Sequence, residues 1–390
     1  MSHVAVMIPC IDRIAGAEQQ ALLLAKGLRA RDWRVSMVAL TGSGGEAAAE
    51  LRKIGVEFVS LKMRHGLADP GGWIRFHSWL RREQPDVLHA HLPHAAWMAR
   101  WSRIASSVPV VIDTIHNWNT GTMGGQMGYA LSRRLPDRVT AVSRSAAASH
   151  LAAGMVREEG LSVLPNGIDM DAWGADPKVR ADTRREIGLR DEFLWLAAGR
   201  LETVKDYPTL LRAMARVGET AQLVILGDGR LRAELMQMPS QLGLAHRVHF
   251  RGFEADVRRW MQAADGFVLA SRYEGLPMVL LEAAACGLPV VATNVPGTRD
   301  VVVNGETGWL ACISGADALA AVLARMMRMP VEERRAMGER ARRFVGERFN
   351  LKNVLDQWEQ LYAELLDRSA RRATHLRARE ALTGENATSA

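Results

Sequence analysis

The sequence predicts an α/β protein built from two domains, each a parallel sheet covered by helices on both faces. Three observations predict it. Short apolar runs recur along the chain and alternate with longer segments of helical apolar spacing, the pattern of strands buried on both faces and joined by helical crossovers. Several runs end in glycine or in polar residues, and in such sheets ligands bind at the carboxyl ends of the strands. At 390 residues the chain is long for one domain, so the pattern has to be shared between two.

Composition narrows the class. Apolar residues make up 48% and charged residues 24%, the balance of a soluble globular protein. The three cysteines, Cys10, Cys286 and Cys312, are far apart, which gives neither a disulfide framework nor a zinc site and fits a reducing cytoplasm. Residues 1–9 run straight into a strand-like segment, and no apolar run approaches the length of a membrane span, so a soluble or peripheral protein is expected. A net charge of +7 and a pI near 9.7 imply attraction to anions, whether nucleic acid, anionic lipid or a phosphorylated substrate. Charge alone does not choose among them.

Residues 3–8 read as the first strand, and Gly16 opens a helix after a short turn. Strand-like runs follow at 34–40, 56–61, 86–89, 109–115 and 138–142. His89, His91 and His94 lie at the end of the fourth run, but their spacing is neither that of a helix face nor that of a zinc module, so no metal site is expected. Thr114-Ile-His116-Asn117 follows the fifth run and places a histidine at a strand end, where it either serves a ligand or caps local backbone. Two helix-like segments interleave tryptophan with arginine: one holds Trp73, Arg75 and Trp79, the other Trp97 and Trp101. Tryptophan favours the membrane interface and arginine favours anionic headgroups. With Arg133, Arg134 and Arg138 nearby in sequence, this half reads as facing a membrane and binding the acceptor. The same pattern also fits tryptophans packed on the sheet beside solvated arginines.

Leu164-Pro-Asn-Gly-Ile-Asp169 marks the passage between halves by its turn chemistry. In the second half, strand-like runs at 193–198, 222–226, 248–252, 265–270, 288–293 and 308–312 repeat the alternation. The first of these ends in Gly-Arg200, and Lys205 precedes the next helix. Such a pair suits a diphosphate, arginine as a planar fork and lysine as a point charge. The stretch Ser271-Arg-Tyr-Glu-Gly-Leu-Pro-Met-Val-Leu-Leu-Glu282 runs from a polar loop into a helix. Pro277 suits the first helical turn, leaving Glu274 just before the helix and Glu282 inside it. The amides of Gly275, Leu276 and Met278 at that N-terminus suit phosphate oxygens. Phosphate held on amides beside two hydroxyl-accepting carboxylates suits a nucleotide sugar. Against a merely solvated Glu282 stands its flank of Leu280, Leu281 and Ala283, among which a carboxylate is seldom buried without a partner.

This Glu-x7-Glu stretch, followed by Ala-Cys-Gly-Leu-Pro-Val-Val-Ala-Thr, resembles the signature of the retaining glycosyltransferases of family 4, group 1. The resemblance reaches to about residue 365. It implies the GT-B architecture: two Rossmann-like domains facing a cleft, with the final helix crossing back to the first. The expected divisions are an acceptor-binding domain over 1–170, a nucleotide-sugar domain over 171–350, the returning helix over 351–367 anchored by Trp358 and Tyr362, and a basic, disordered tail over 368–390.

By the same resemblance, His116, Arg200, Lys205 and Glu274 are the catalytic set. Ile14-Ala15-Gly16 is the glycine loop facing the donor diphosphate, with Ala15 where many relatives carry a second glycine. Arg251 and Phe253 lie where the base sits, Glu274 holds sugar hydroxyls, Glu282 holds the ribose, and Gly275, Leu276, Pro277 and Met278 form the phosphate-facing helix start. The donor implied is a UDP-sugar and the acceptor a lipid-linked saccharide of cell-surface polysaccharide assembly, with a soluble small acceptor as the alternative. No cofactor is expected, no metal included, and no convincing Asp-x-Asp loop occurs in the sequence. The expected place is the cytoplasm, in peripheral contact with the anionic inner-membrane surface. A nucleotide-sugar epimerase or a phosphorylase lacks support from any paired motif or pyridoxal lysine. A nucleic-acid-binding protein needs basic and aromatic side chains on one continuous face rather than a glycine loop and helix terminus.

Overall fold

The computed structural model describes residues 1–64, 66–117, 121–254, 256–313 and 315–387. The apolar runs become strands because their side chains are covered on both sides. In the first half these are β1 (His3–Ile8), β2 (Arg34–Ala39), β3 (Glu57–Ser60), β4 (Val87–His91), β5 (Val110–Ile115), β6 (Arg138–Ala141) and β7 (Leu161–Val163). Every residue of β1, β4 and β5 is buried. They form one parallel sheet in the order β3-β2-β1-β4-β5-β6-β7. β7, a three-residue, largely half-buried edge, lies outside the strands read from the sequence.

The chain divides into Met1–Gly167 with Lys352–Ala390, and Ile168–Leu351. The second unit carries β8 (Phe193–Ala198), β9 (Ala221–Leu226), β10 (Val248–Gly252), β11 (Gly266–Leu269), β12 (Val290–Thr293) and β13 (Gly308–Ala311), ordered β10-β9-β8-β11-β12-β13. Its core includes Trp195, Leu210, Leu223, Val268, Val291 and Leu323. In each sheet the strand order reverses once, between β1 and β4 and between β8 and β11. Loops leave such a point in opposite directions and open a crevice at the carboxyl ends.

The terminal helix, Leu351–Ala387, packs within the first unit from Lys352 onward. Tyr362 is fully buried and hydrogen-bonds His89 at 2.7 Å, while Trp358 is 5% exposed. Arg31 pairs with Asp356 and Glu359 at 2.6 and 2.5 Å, and the Trp33 indole donates to Glu359 at 2.7 Å. The helix continues past Asp367 to Ala387, into the stretch where the disordered tail is expected. Helix-spaced pairs Arg368–Glu364 and Arg371–Asp367 at 3.0 and 2.6 Å add local support, and Ser369 donates to the Pro109 carbonyl at 3.2 Å.

Candidate active site

In the second unit Arg200, Lys205, Glu274 and Glu282 gather at the switch point, while Arg251 and Phe253 lie at the β10 edge. Gly199 follows β8, and the exposed Arg200 side chain next to it makes no ion pair or hydrogen bond among the described residues. A one-turn helix, Thr203–Lys205, then brings Lys205 beneath the loop after β11. There its Nζ lies 2.5 Å from Glu274 Oε1, with the two side chains 15% and 12% exposed. Ser271 donates to the same oxygen at 2.5 Å, whereas Glu274 Oε2 has no partner among the described residues. Arg272 joins the loops a second time, through Asp206 at 3.1 Å and through its amide to the Val204 carbonyl at 2.8 Å.

Three buried hydroxyls lock this arrangement from behind. Fully buried Ser271 offers its carbonyl to Thr293 Oγ1 at 2.5 Å. Thr298, also fully buried, donates to the Thr293 carbonyl at 2.6 Å and accepts from the Val295 amide at 3.1 Å. Tyr207 reaches the Gly199 carbonyl at 3.1 Å; burial, then the nearby Glu274 carboxylate, raises its hydroxyl pKa well above the usual tyrosine range. Sequence reasoning gave none of these three hydroxyls a role. Single hydroxyl residues carry no periodic signal, and only the tertiary contacts between loops reveal them.

The helix after Glu274 spans Met278–Ala285, and Pro277 stands at its N-cap rather than inside its first turn. Extended backbone at Pro277, with ψ of 107°, delays the helix by one residue. Gly275 and Leu276, both buried, donate their amides to no described group. They remain available to an anion at the positive end of the helix. Glu282 lies in the second turn at 7% exposure. Arg251 is exposed on β10, its guanidinium 5.4 Å from the Trp260 ring, and Phe253 beyond it is 76% exposed.

In the first unit, Gly16 begins the helix Gly16–Arg29 just after β1, with the Ala15 amide donating to Glu18 at 3.2 Å. His116 follows β5, and its Nε2 lies 2.9 Å from Nδ1 of His91 on β4. β4 borders the first switch point, and β5 is the next strand outward. His89 is bound on both sides, to Tyr362 and to Thr114 at 2.7 Å each, and Thr114 meets Thr140 at 2.7 Å. Burial pushes His89 down to about 3, aided by the neighbouring His116, and pushes His116 down to about 4. Burial, then His89 and His116, holds His91 well below the ordinary range. All three are therefore neutral near pH 7. His116 Nδ1 and His91 Nε2 are enclosed without a hydrogen-bond partner. His94 is exposed, and among the described residues no group of three His, Cys, Asp or Glu side chains is placed to hold a metal ion.

Of the two readings of the first tryptophan-arginine helix, burial favours tryptophans packed on the sheet. Trp79 is a core residue at 3% exposure, its ring edge-on to His3. Half-buried Trp73 donates to the Leu67 carbonyl at 3.0 Å and packs on the core. Arg75 holds the carbonyls of Leu61 and Lys62 at 2.7 and 3.2 Å and lines a cavity of about 300 Å³ with Lys62, Arg64 and Asp69. Helical spacing is the same for a face packed on a sheet and a face laid on a membrane, so only burial separates them. Trp97 and Trp101 are half-buried against each other, ring centroids 5.7 Å apart.

Two doubly wound units, each with candidate residues at the switch point and with the last helix returned to the first unit, define a GT-B glycosyltransferase. Residues 14–172 match the family model described as Glycosyltransferase Family 4, and residues 179–344 match the one described as Glycosyl transferases group 1. The D-inositol 3-phosphate glycosyltransferase of Xylanimonas cellulosilytica is 32% identical over 314 residues, 72% of this chain and 71% of that one. The UDP-Gal:alpha-D-GlcNAc-diphosphoundecaprenol alpha-1,3-galactosyltransferase of Escherichia coli is 25% identical over 316 residues, 77% of this chain and 81% of its own. Anabaena HepE in complex with UDP and glucose shares the fold with a TM-score of 0.84 at 21% identity, covering 93% of this chain and all of that one. The chain belongs to glycosyltransferase family 4, group 1.

Proposed function

We propose that the protein is a retaining hexosyl- or N-acetylhexosaminyl-transferase that moves the sugar of a UDP-sugar onto a lipid-linked saccharide in cell-surface polysaccharide assembly. The observation that carries the donor half is the Lys205–Glu274 pair, 2.5 Å apart, with the undonated amides of Gly275 and Leu276 beside it. Lysine has three donor hydrogens, so Lys205 keeps Glu274 while still reaching a phosphate oxygen. Arg200, with no partner of its own, adds a second cation.

As the sugar C1–O bond breaks, negative charge grows on the departing diphosphate, and preorganised donors there lower the barrier. Glu274 Oε2 is assigned to a donor-sugar hydroxyl, Glu282 to the ribose, Arg251 and Phe253 to the base, Gly16 to the diphosphate and neutral His116 to the reactive side of the sugar. The acceptor hydroxyl attacks C1 on the face the diphosphate leaves, and its proton passes to the departing phosphate oxygen. Configuration at C1 is retained. The scheme uses no carboxylate nucleophile, and the protein's own cations carry the charge that a metal carries elsewhere.

The lipid-linked acceptor is supported by the name of the Escherichia coli relative, which acts on a diphosphoundecaprenol-linked sugar. A soluble acceptor is the second reading, supported by the name of the Xylanimonas relative. No helix among the described residues is long and apolar enough to cross a membrane; the contact we propose with the cytoplasmic face of the inner membrane is peripheral. The test is calorimetric titration of UDP-, GDP- and ADP-sugars, followed by transfer to polyprenyl-diphosphate-linked and to soluble acceptors. Binding of a UDP-sugar that Glu274→Gln weakens, with product of retained configuration on the lipid-linked acceptor, is the expected result. Failure of every nucleotide sugar to bind the folded protein overturns the reading.

A further inference from the structure

The helix Met123–Ser132 exposes Met123, Met127 and Leu131 at 86%, 64% and 74%. Their spacing of four residues puts them on one stripe, and Ile104, in the turn just past the helix Pro93–Ser102, is 70% exposed as well. Nothing in the local sequence favours this helix: three of its ten residues are glycine, which costs helix stability at each position. Its other face keeps it in place. Fully buried Arg100 lies 4.2 Å over the Tyr129 ring, donates to the Tyr129 carbonyl and to Ser132 Oγ at 3.3 and 3.2 Å, and is itself held by Asp113 at 3.0 Å. Gly128 brings the backbone against Trp97, where an added Cβ would lie 3.0 Å from the indole nitrogen. The fold thus fastens one face of a glycine-rich helix and turns three large apolar side chains outward.

The charges around this stripe say what covers it. Residues 87–136 contain one acidic side chain, Asp113, and it is buried in the ion pair with Arg100. The next, Asp137, is occupied by both Arg103 nitrogens at 2.6 and 3.0 Å. Arg133 and Arg134, which follow the helix, are exposed, and neither is paired with a carboxylate among the described residues. A second copy of the chain meeting this one about a two-fold axis would bring arginine to arginine, so the charge opposes self-association. An apolar stripe followed by two arginines that pair with no carboxylate among the described residues, in a stretch whose own acids are already occupied, matches an anionic lipid interface, where the side chains enter the acyl boundary and the cations meet headgroups.

We infer that the Met123–Ser132 helix, with Ile104, Arg133 and Arg134, is the surface by which the first unit lies on an anionic membrane. The placement deepens the lipid-linked acceptor reading and rests on it for its purpose, but the surface is measured without donor or acceptor. Full-length protein is sedimented with vesicles of phosphatidylcholine alone and of phosphatidylcholine mixed with phosphatidylglycerol. The wild type is expected to bind the anionic vesicles, more weakly as salt rises. The pair Met127→Gln and Leu131→Gln, together, and the pair Arg133→Gln and Arg134→Gln are each expected to weaken that binding about tenfold. All four side chains are exposed, and unchanged melting of both variants checks that folding is intact.

Wild-type protein that ignores anionic vesicles, or variants that bind them as the wild type does, would overturn the proposal. So would a wild-type dimer that the Met127→Gln, Leu131→Gln variant dissolves, since that makes the stripe a contact between copies. Transfer of sugar to a short-chain soluble acceptor analogue is expected to be unchanged in both variants. A protein that binds vesicles but transfers nothing retains the surface and loses the activity reading, and the converse result does the opposite.

Discussion

The Lys205–Glu274 pair admits a test in which the stability and the ligand readouts separate. At 2.5 Å and an effective dielectric near 20, two unit charges attract by roughly 7 kcal/mol. Both side chains are about seven-eighths buried, so most of that is offset by their desolvation, leaving a coupling of about 1–3 kcal/mol. Lys205→Met strands the Glu274 carboxylate with only Ser271 to serve it, a loss of about 2–4 kcal/mol. Glu274→Gln keeps an oxygen for both donors and costs about 1–2 kcal/mol. The double variant is expected to lose less than the two single losses together, by the coupling.

Denaturant unfolding followed by circular dichroism measures the four proteins, and calorimetry then adds UDP and UDP-sugar to each. Lys205→Met is expected to lower affinity for UDP itself. Glu274→Gln is expected to leave UDP affinity near that of the wild type, because its free Oε2 is assigned to the sugar, while UDP-sugar affinity and turnover fall at least tenfold, about 1.4 kcal/mol. Additive stability losses, with coupling under about 0.5 kcal/mol, would refute the ion-pair reasoning. Equal loss of UDP and UDP-sugar affinity in Glu274→Gln would refute the assignment of Oε2.

Thr298→Val removes the hydroxyl that accepts from the Val295 amide at 3.1 Å and donates to the Thr293 carbonyl at 2.6 Å; because that amide keeps the Thr293 carbonyl at 2.9 Å, the loss is about one ordinary hydrogen bond, about 0.5–1.5 kcal/mol, read as a lower denaturation midpoint; an unchanged midpoint shows that the hydroxyl chain carries no weight. Gly227→Ala is expected to weaken UDP binding as well as stability, since its φ is +130° and the new Cβ would lie 2.0 Å from the Gly199 carbonyl oxygen next to Arg200; normal UDP affinity in a stable variant contradicts the loop packing. For the histidines the folded pKa values are depressed, so the unfolded chain binds more protons below about pH 6.5. Their contribution is present above that pH and is lost as pH falls towards about 4 for His116 and about 3 for His89. His116→Gln should therefore show a shallower loss of melting temperature between pH 7 and pH 5 than the wild type, and an equal slope in both would exclude His116 as a titrating contributor.

Much of the fold was legible because strands buried on both faces are mostly apolar; β1, β8 and β9 are so at nearly every position, and β2 and β5 at four of six. β7 was not, since three half-exposed residues carry no such constraint. Lys205, Glu274 and Gly275 were found through a motif, and the structure brings the first two into contact. Gly297 was hidden inside Val-Pro-Gly-Thr, which reads as an ordinary turn. Trp79 and Leu131 were illegible for opposite reasons. Amphipathic spacing left Trp79 open between a surface and the sheet, and it packs in the core, while three glycines concealed the helix that carries Leu131 outside it. In both cases the deciding quantity was contact with residues distant in sequence, which no local window contains.

Those distant contacts also explain how backbone amides and short side chains are aimed without a rigid element beneath them. Gly227 follows β9 and lies against Gly199 after β8, and Gly229 lies against Leu201, where an added Cβ would approach its carbonyl oxygen to 2.5 Å. Across the switch point, Gly297 follows β12 and lies against the carbonyls of Glu274 and Gly275, at 2.6 and 2.5 Å from an added Cβ. Each loop bearing candidate residues is thus backed by the loop of the neighbouring strand farther from the switch. Between them stand the Lys205–Glu274 and Arg272–Asp206 pairs. Backbone stacking of this kind tolerates no side chain, because close packing leaves no slack to absorb one. A glycine outside the motif therefore fixes the position of the undonated Gly275 amide as firmly as the motif residues beside it.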